Sequence, residues 1–169
     1  DENWYIGIGM WGTAGMGTDY SDAAGGGLNN FNMVTNLQLM QFGVPIAYKT
    51  GGLSLAVTPI LQYGNLDINY IIGPNPVGFP EGSVGAGLAQ DFGFGYNLGL
   101  AYDFSESGVT GLTFGAIYKS KIEMEYDNQI STAMAGFGVP GFSDKLEQPS
   151  EYGVGLAYEM GQHTFAFDY

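Results

Sequence analysis

The strongest constraint in this sequence is a two-residue alternation sustained over long stretches. Between 92 and 104, Phe92, Phe94, Tyr96, Leu98, Leu100, Tyr102 and Phe104 fall on one parity, while Gly93, Gly95, Asn97, Gly99, Ala101 and Asp103 fall on the other. Side chains alternate across a β-strand, so one face is apolar and aromatic and the opposite face is small or polar. The pattern predicts a second strand over 112–126. There Leu112, Phe114, Ala116, Tyr118, Ile122, Met124 and Tyr126 share the apolar face, with Ser120 as the exception. Thr113, Gly115, Lys119, Lys121, Glu123 and Glu125 lie opposite, with Ile117 as the exception. The turn-rich connector Ser105-Glu106-Ser107-Gly108 joins the two as a β-hairpin.

The same rule places strands at 3–12, 31–49, 53–72, 151–159 and 163–169. Within 31–49 the apolar parity slips between Leu39 and Phe42, which predicts a bulge. Connectors alternate in length: short near 50–52, 105–108 and 159–162, long at 13–30, 73–89 and 127–150. Short turns at one end and long loops at the other characterise transmembrane barrels of the outer-membrane type. The expected fold is therefore all-β: an antiparallel transmembrane β-barrel with its apolar parity toward lipid and its small, polar parity toward the lumen. Tyr48, Phe104 and Tyr126 end apolar faces, where interfacial girdles lie. A soluble β-sandwich is the competing fold. Strands as long as 53–72 exceed its usual ~3–10 residues. Its solvated face would also carry Thr, Lys and Glu where this chain carries glycine. Small lumenal residues instead make room for a plug.

Composition agrees. Charged residues make up 12% of the chain, against about 25% in soluble domains, yet 45% of residues are hydrophobic. Such a chain has too few charges to coat a water-exposed surface. Net charge −13 with four basic residues excludes a phosphate-tracking nucleic-acid binder. Acidic loops are compatible with lipopolysaccharide bridged by divalent cations. No cysteine is present, so thiolate metal sites and disulfides are excluded. The single histidine, His163, excludes a His-rich metal site, and no cofactor is expected. A membrane helix needs about 18 apolar residues in a row, a barrel strand only about 9–11; the sequence has no run of the first kind. Asp1-Glu2-Asn3 is not the basic start of a signal peptide.

Ala89-Gln-Asp-Phe-Gly-Phe-Gly-Tyr-Asn-Leu-Gly-Leu-Ala-Tyr, followed by Leu112-Thr-Phe-Gly-Ala-Ile-Tyr-Lys-Ser-Lys-Ile, resembles the long-chain fatty acid transporter family, the FadL and toluene-transporter type. Gln148-Pro149 before Tyr152-Gly-Val-Gly and Val44-Pro-Ile-Ala-Tyr-Lys fit the same pattern. The resemblance implies a Gram-negative outer-membrane barrel of about fourteen strands with an N-terminal hatch. Residues 1–169 would supply its third to ninth strands, about seven in all; the rest of the barrel would come from other polypeptide. It implies passive transport of small hydrophobic molecules, long-chain fatty acids or aromatic and aliphatic hydrocarbons, and no enzyme activity. The alternative is a structural or adhesive barrel with no small-molecule ligand.

By strand count the resemblance makes 73–89 and 127–150 the loops that first capture ligand. Val77, Phe79, Val84 and Leu88 in one, and Ile130, Met134, Phe137, Val139 and Phe142 in the other, are candidate groove residues. Their bland reading is loop-on-loop packing. Ser131 is the expected N-cap of a short helix. The family also implies a gap beside a kinked third strand, here 3–12, where Gly7, Gly9 and Gly12 ease bending. Lys119 and Lys121 are candidates for holding a ligand carboxylate. The competing reading is a lumenal salt-bridge network with Asp91 and Asp103. The run Gly7-Ile-Gly-Met-Trp-Gly12 matches the dinucleotide fingerprint but lies in a strand region with no helix to follow. Glu123 and Glu125, two apart on one strand, have no substrate-orienting neighbours that would make them an acid–base pair.

Overall fold

Alternation this long demands strands, and the computed structural model, which describes residues 2–22, 31–72 and 82–169, supplies them. They are β1 (Trp4–Ile6), β2 (Gly9–Asp19), β3 (Val34–Gly43), β4 (Ile46–Thr50), β5 (Leu53–Ile72), β6 (Gly82–Val84), β7 (Ala89–Asp103), β8 (Leu112–Lys119), β9 (Ile122–Glu125), β10 (Lys145–Gln148), β11 (Glu151–Met160) and β12 (His163–Asp168). One helix, α1 (Ile130–Gly136), lies between β9 and β10. Every pairing is antiparallel, and the wall runs in the order β1/β2, β3/β4, β5, β7, β8, β11, β12, an up-and-down meander with β6 and the segment from β9 to β10 inserted between successive wall strands.

Several strands are halves of one wall span. β3 and β4 hold one register against β5, from Val34↔Asn69 through Gly43↔Ile60 to Ile46↔Val57 and Thr50↔Leu53. Val44-Pro45 interrupts them because proline has no N–H to give the ladder. β1 and β2 are likewise parted at Gly7-Ile8. The bulge expected between Leu39 and Phe42 is not there. β3 keeps its register with β5, and the irregularity lies on its other neighbour, between Gly12 and Ala14 of β2. The apparent slip has another cause: Leu37 and Leu39 point to the covered face, where they meet a core. The expected connector 13–30 is also shortened, since β2 continues to Asp19.

The open face carries the lipid-type stripe. Phe94 is 76% exposed, and Phe92, Tyr96, Leu98, Leu100, Val57, Leu55, Val154 and Leu156 are exposed beside it. In water a fully exposed side chain of this kind would forgo about 1.5–3 kcal/mol of burial, and even half of that over the stripe is comparable to a domain's net stability of ~5–15 kcal/mol. Hydrocarbon removes that cost. The stripe also has the right height. Phe92 to Tyr102 is about 34 Å along an antiparallel strand, or about 25 Å along the membrane normal at a tilt of about 40°. Above it, Gln38, Asn65 and Gln90 form a polar row across β3, β5 and β7. Gln90 donates to the Tyr63 hydroxyl at 2.6 Å and Asn65 to Gln38 at 3.3 Å. At the other end Tyr102 meets Phe104 edge-on at 4.8 Å, and Trp4 tilts onto Tyr48 at 5.0 Å.

The largest departure from expectation is at 112–126. β8 stops at Lys119; the chain then steps off the wall, and β9 pairs with β10 as a separate hairpin inside the covered face. Ile122, Met124 and Tyr126 are buried there, not aimed at lipid. Tyr126 is therefore a core residue and not part of a girdle. The covered face receives them through missing side chains. A Cβ on Gly93 would lie 2.5 Å from Ile122 Cγ2, and one on Gly95 2.6 Å from Ile122 Cγ1. The predicted plug space is real, and the chain's own hairpin fills it.

Gly93→Val should therefore expel the hairpin, costing about 1–3 kcal/mol by overpacking and raising proteolysis within 120–150. Gly99→Ala, whose Cβ would meet only Ala56 Cβ at 3.6 Å, should leave the cleavage rate unchanged.

Candidate functional site

The exit of the chain from the wall is built around Ser120. Its N–H donates to the Tyr96 carbonyl at 2.9 Å, as a ladder continuing β8 would require. The Tyr96 N–H, however, donates to Ser120 Oγ at 2.9 Å instead of to a carbonyl. The hydroxyl frees the Ser120 carbonyl to turn inward with the chain. Farther along, Asp91 accepts the Phe92 N–H at 2.8 Å and the Glu125 N–H at 2.7 Å, pinning β9 to β7.

Under the hairpin, Ile60, Leu66, Ile122, Met124 and Tyr126 form a closed core, with Leu37, Leu39, Ile130 and Leu146 against it. A polar spine crosses this core. Trp11 Nε1 donates to Gln41 Oε1 at 3.0 Å, Gln41 Nε2 to Gln62 Oε1 at 2.7 Å, and Gln62 Nε2 to the Met124 sulfur at 3.1 Å. Gln41 and Gln62 are buried, so these bonds are what makes burying two amides tolerable. Burial, with the Asp91 charge adding to it, pushes the Tyr126 hydroxyl up to about 12, so it stays a neutral phenol. Beside the spine lies a cavity of about 280 Å³ between the wall and the hairpin. Its walls are Thr13 and Ala14 at the β2 bulge, Leu39, Gln62, Met124, Tyr126 and Leu146, and its rim carries Glu147, Gln148 and Glu151.

Among the described residues, the predicted loop side chains divide into packed, half-buried and exposed ones. Ile130 packs on the core just described. Phe137 joins a second core with Tyr70, Ile72, Ala133, Val84, Phe31 and Met33. Its ring stacks on Tyr70 at 4.6 Å and 13°, with Phe31 edge-on at 5.5 Å. Met134 is half-buried on α1. Leu88, Val139 and Phe142 are 55%, 46% and 48% exposed. Val77 and Phe79 lie outside the described residues. The two loops do touch: Gln129 donates to the Gly87 carbonyl and accepts the Ile68 N–H at 2.9 Å. Packing thus accounts for Ile130 and Phe137, while three apolar side chains stay available at the outer end. The helix begins at Ile130 with Gln129 at its N-cap, not Ser131. Ser131 instead gives its N–H and hydroxyl to Asp144 at 2.8 and 2.7 Å.

Lys119 and Lys121 are engaged with glutamates, and not with Asp91 or Asp103. Lys119 Nζ lies 2.6 Å from Glu151 and Lys121 Nζ 3.0 Å from Glu147, while Lys145 takes Glu123 at 2.8 Å. Asp103 instead caps the 3₁₀ turn Phe104–Ser107, accepting the Ser105 N–H. The Glu147 hydrogen bond holds the Lys121 ammonium above its usual range, and Lys145 holds Glu123 below the usual carboxylate range. Sequence reading missed β10 and hence these pairings. Lys145-x-Glu147 against Lys121-x-Glu123 was the available signal, a charge pattern that matches only when the segments run antiparallel.

A second feature crosses the wall where Gly7-Ile8, Val44-Pro45 and Pro59 fall side by side. Gly7 N donates to the Pro45 carbonyl at 2.9 Å and Val44 N to the Pro59 carbonyl at 3.3 Å. On the open face this seam forms an apolar depression of about 570 Å³ between Ile8, Met10, Phe42, Leu61 and Phe94. The glycine fingerprint is part of this seam, and β2 follows it instead of a helix.

The sequence matches the family described as Outer membrane protein transport protein (OMPP1/FadL/TodX) over residues 1–164. Among solved structures, a Pseudomonas aeruginosa FadL homologue superposes with TM-score 0.62 at 14% identity, covering 99% of this chain and 45% of that one. The P. putida toluene transporter TodX superposes with TM-score 0.56 at 15% identity, covering 98% of this chain and 50% of that one. The chain thus spans about half the length of the solved structures it resembles. No curated protein matches the sequence.

Asp144 anchors the α1 loop, and its burial is outweighed by the Ser131 N–H and hydroxyl and neighbouring backbone N–H groups, which hold its carboxyl below the usual range. A depressed folded pKa gives stability present above the unfolded value of about 3.9 and lost as pH falls through the folded one. Amide exchange in 128–137 should therefore be flat from neutral pH down to that range, after correction for intrinsic rates. Asp144→Ala should speed it about tenfold at neutral pH.

Proposed function

We propose that this chain, which belongs to the Outer membrane protein transport protein (OMPP1/FadL/TodX) family, forms the third to ninth strands of a longer barrel that passes small hydrophobic molecules down their gradient across the outer membrane. The family is one of Gram-negative outer-membrane β-barrels, and the lipid-type open face fits that setting. The observation that supports the transport reading is the presence, in one chain, of exposed apolar side chains on the long loops and a cavity between the wall and the hairpin. Val77, Phe79 and Leu88 of one loop and Val139 and Phe142 of the other would take ligand from outside. Met134, Ile130 and Phe137 shape the floor from α1. The cavity beside Gln62 and Tyr126 receives it next. The seam at Gly7-Ile8 and Pro45, where β1 and β2 part, is the place for it to leave sideways into lipid. Lys119 and Lys121 hold Glu151 and Glu147 at the cavity rim.

The structural or adhesive alternative rests on the same helix, since Phe137 and Ile130 are spent on packing. Uptake separates the two. Val139→Asp and Phe142→Asp place charges on exposed positions without touching either core, and should lower uptake of a labelled hydrophobic compound by about tenfold in cells. Unchanged uptake, with the barrel still heat-modifiable on gels, would remove the capture site from the proposal.

A further inference from the structure

We infer that the outward amide row of Gln38, Asn65 and Gln90 is a shelf for the sugar headgroup of the outer-leaflet glycolipid, lipopolysaccharide, held through its hydroxyls and not through its phosphates. The row stands at the long-loop end of the wall, the end that outer-membrane barrels turn outward. One rung nearer the membrane centre, Met40, Tyr63 and Phe92 still belong to the apolar stripe. One rung farther out, Asn36 stands opposite Asp67. The change from hydrocarbon-type to amide chemistry takes a single rung, at the height where acyl chains give way to headgroups. β3, β5 and β7 are consecutive wall strands, so no other strand comes between the three amides. An amide carries donors and an acceptor side by side, as a sugar diol does. Gln38 and Gln90 are exposed. The bonds from Gln90 to the Tyr63 hydroxyl and from Asn65 to Gln38 leave amide capacity over, and Asn65 Oδ1 has no donor among the described residues. Neighbouring strands lie about 4.8 Å apart, so the row spans about 10 Å, the length of a disaccharide. Just below it, the Tyr63 and Phe92 rings pack at 5.3 Å, an apolar ledge for the C–H face of a sugar ring. Beside it, the outward side of β2 is bare. Gly12 and Gly15 stand opposite Met40 and Gln38, and a Cβ on either would meet nothing within 4 Å. On this face of β3, β5 and β7 the one charged residue is Asp67, which repels phosphate.

The test measures lipid binding to the full-length protein in detergent, with EDTA present to remove bridging divalent cations. The probes are digalactosyl diacylglycerol and phosphatidylglycerol with the same acyl chains, and labelled rough lipopolysaccharide. The galactolipid should bind about tenfold more tightly than phosphatidylglycerol. Lipopolysaccharide should stay bound in EDTA and be displaced by the galactolipid, not by phosphatidylglycerol. The double variant Gln38→Ala/Gln90→Ala should weaken the galactolipid and lipopolysaccharide about tenfold and leave phosphatidylglycerol within about twofold. Gly15→Ile, which puts a side chain on the bare strip, should weaken the same two. Leu156→Ala, on the outward face away from the row, should change neither. Equal binding of the two diacylglycerol lipids, or no loss in the glutamine double variant, would overturn the sugar shelf. Loss of lipopolysaccharide in EDTA while the galactolipid still binds would overturn lipopolysaccharide as its occupant, leaving cation-bridged phosphates as the contact.

Discussion

Hydrocarbon offers no hydrogen bonds, so a wall strand surrounded by lipid must find a partner for every backbone group. That condition decides how this chain is able to put part of itself inside its own barrel. Leaving the wall at Lys119 would orphan the edge of β7. Ser120 prevents this at the first position by offering its hydroxyl to the Tyr96 N–H while its own N–H still reaches the Tyr96 carbonyl. Asp91 does the same four residues along β7, taking the N–H groups of Phe92 and Glu125 on its two oxygens. The hairpin is then free to lie across Gly93 and Gly95, and the absence of Cβ atoms there becomes useful volume. The cavity, the polar spine and the ion pairs all follow from that displacement.

The wall was legible in the sequence because lipid and lumen demand opposite chemistry on alternate residues. Residues 92–104 and 151–160 declare their faces, as does 112–119 apart from Ile117 on the polar parity. The inboard core was not legible, for a physical reason. Ile122, Met124 and Tyr126 alternate as an outward lipid stripe would, and nothing in periodicity tells hydrocarbon outside from packed side chains inside. Leu37 and Leu39 gave the complementary error, reading as a slipped register when they only cap the same core. The outer part of β2, Thr13 to Asp19, has Met16 as its one large apolar side chain, too weak an alternation to read, and its strand character comes from its ladder with β3. In the candidate site, the apolar content of the two loops was visible, but its division was not. Whether Phe137 meets a ligand or Tyr70 depends on a contact between distant segments.

Charge shows the same division between composition and placement. Net charge −13 gives only the balance of acid over base, whereas three of the four lysines, Lys119, Lys121 and Lys145, lie where the chain turns inward. Lys121 and Lys145 reach diagonally across the hairpin to Glu147 and Glu123, two carboxylates that the register sets directly opposite each other. Lys119 and Glu151 face each other where the chain leaves and rejoins the wall. These pairs are solvent-accessible and screened, so they fix the register and seating of the hairpin more than they add stability. Their arrangement keeps the lumenal side of the hairpin near neutrality in a chain that is otherwise strongly negative.

The row of Gln38, Asn65 and Gln90 sets how deeply the protein can sit. These amides cap the apolar stripe abruptly at one end, while Tyr102 and Phe104 mark the other. A thicker bilayer would draw the amides into acyl chains, and a thinner one would strand Phe92 in headgroups. Either mismatch is relieved by local bending of the lipid or by leaning of the whole cylinder. Since the seam and its depression are fixed to the same strands, the depth at which they meet the leaflet is fixed with them, so membrane thickness itself becomes a determinant of where a guest would re-enter the lipid.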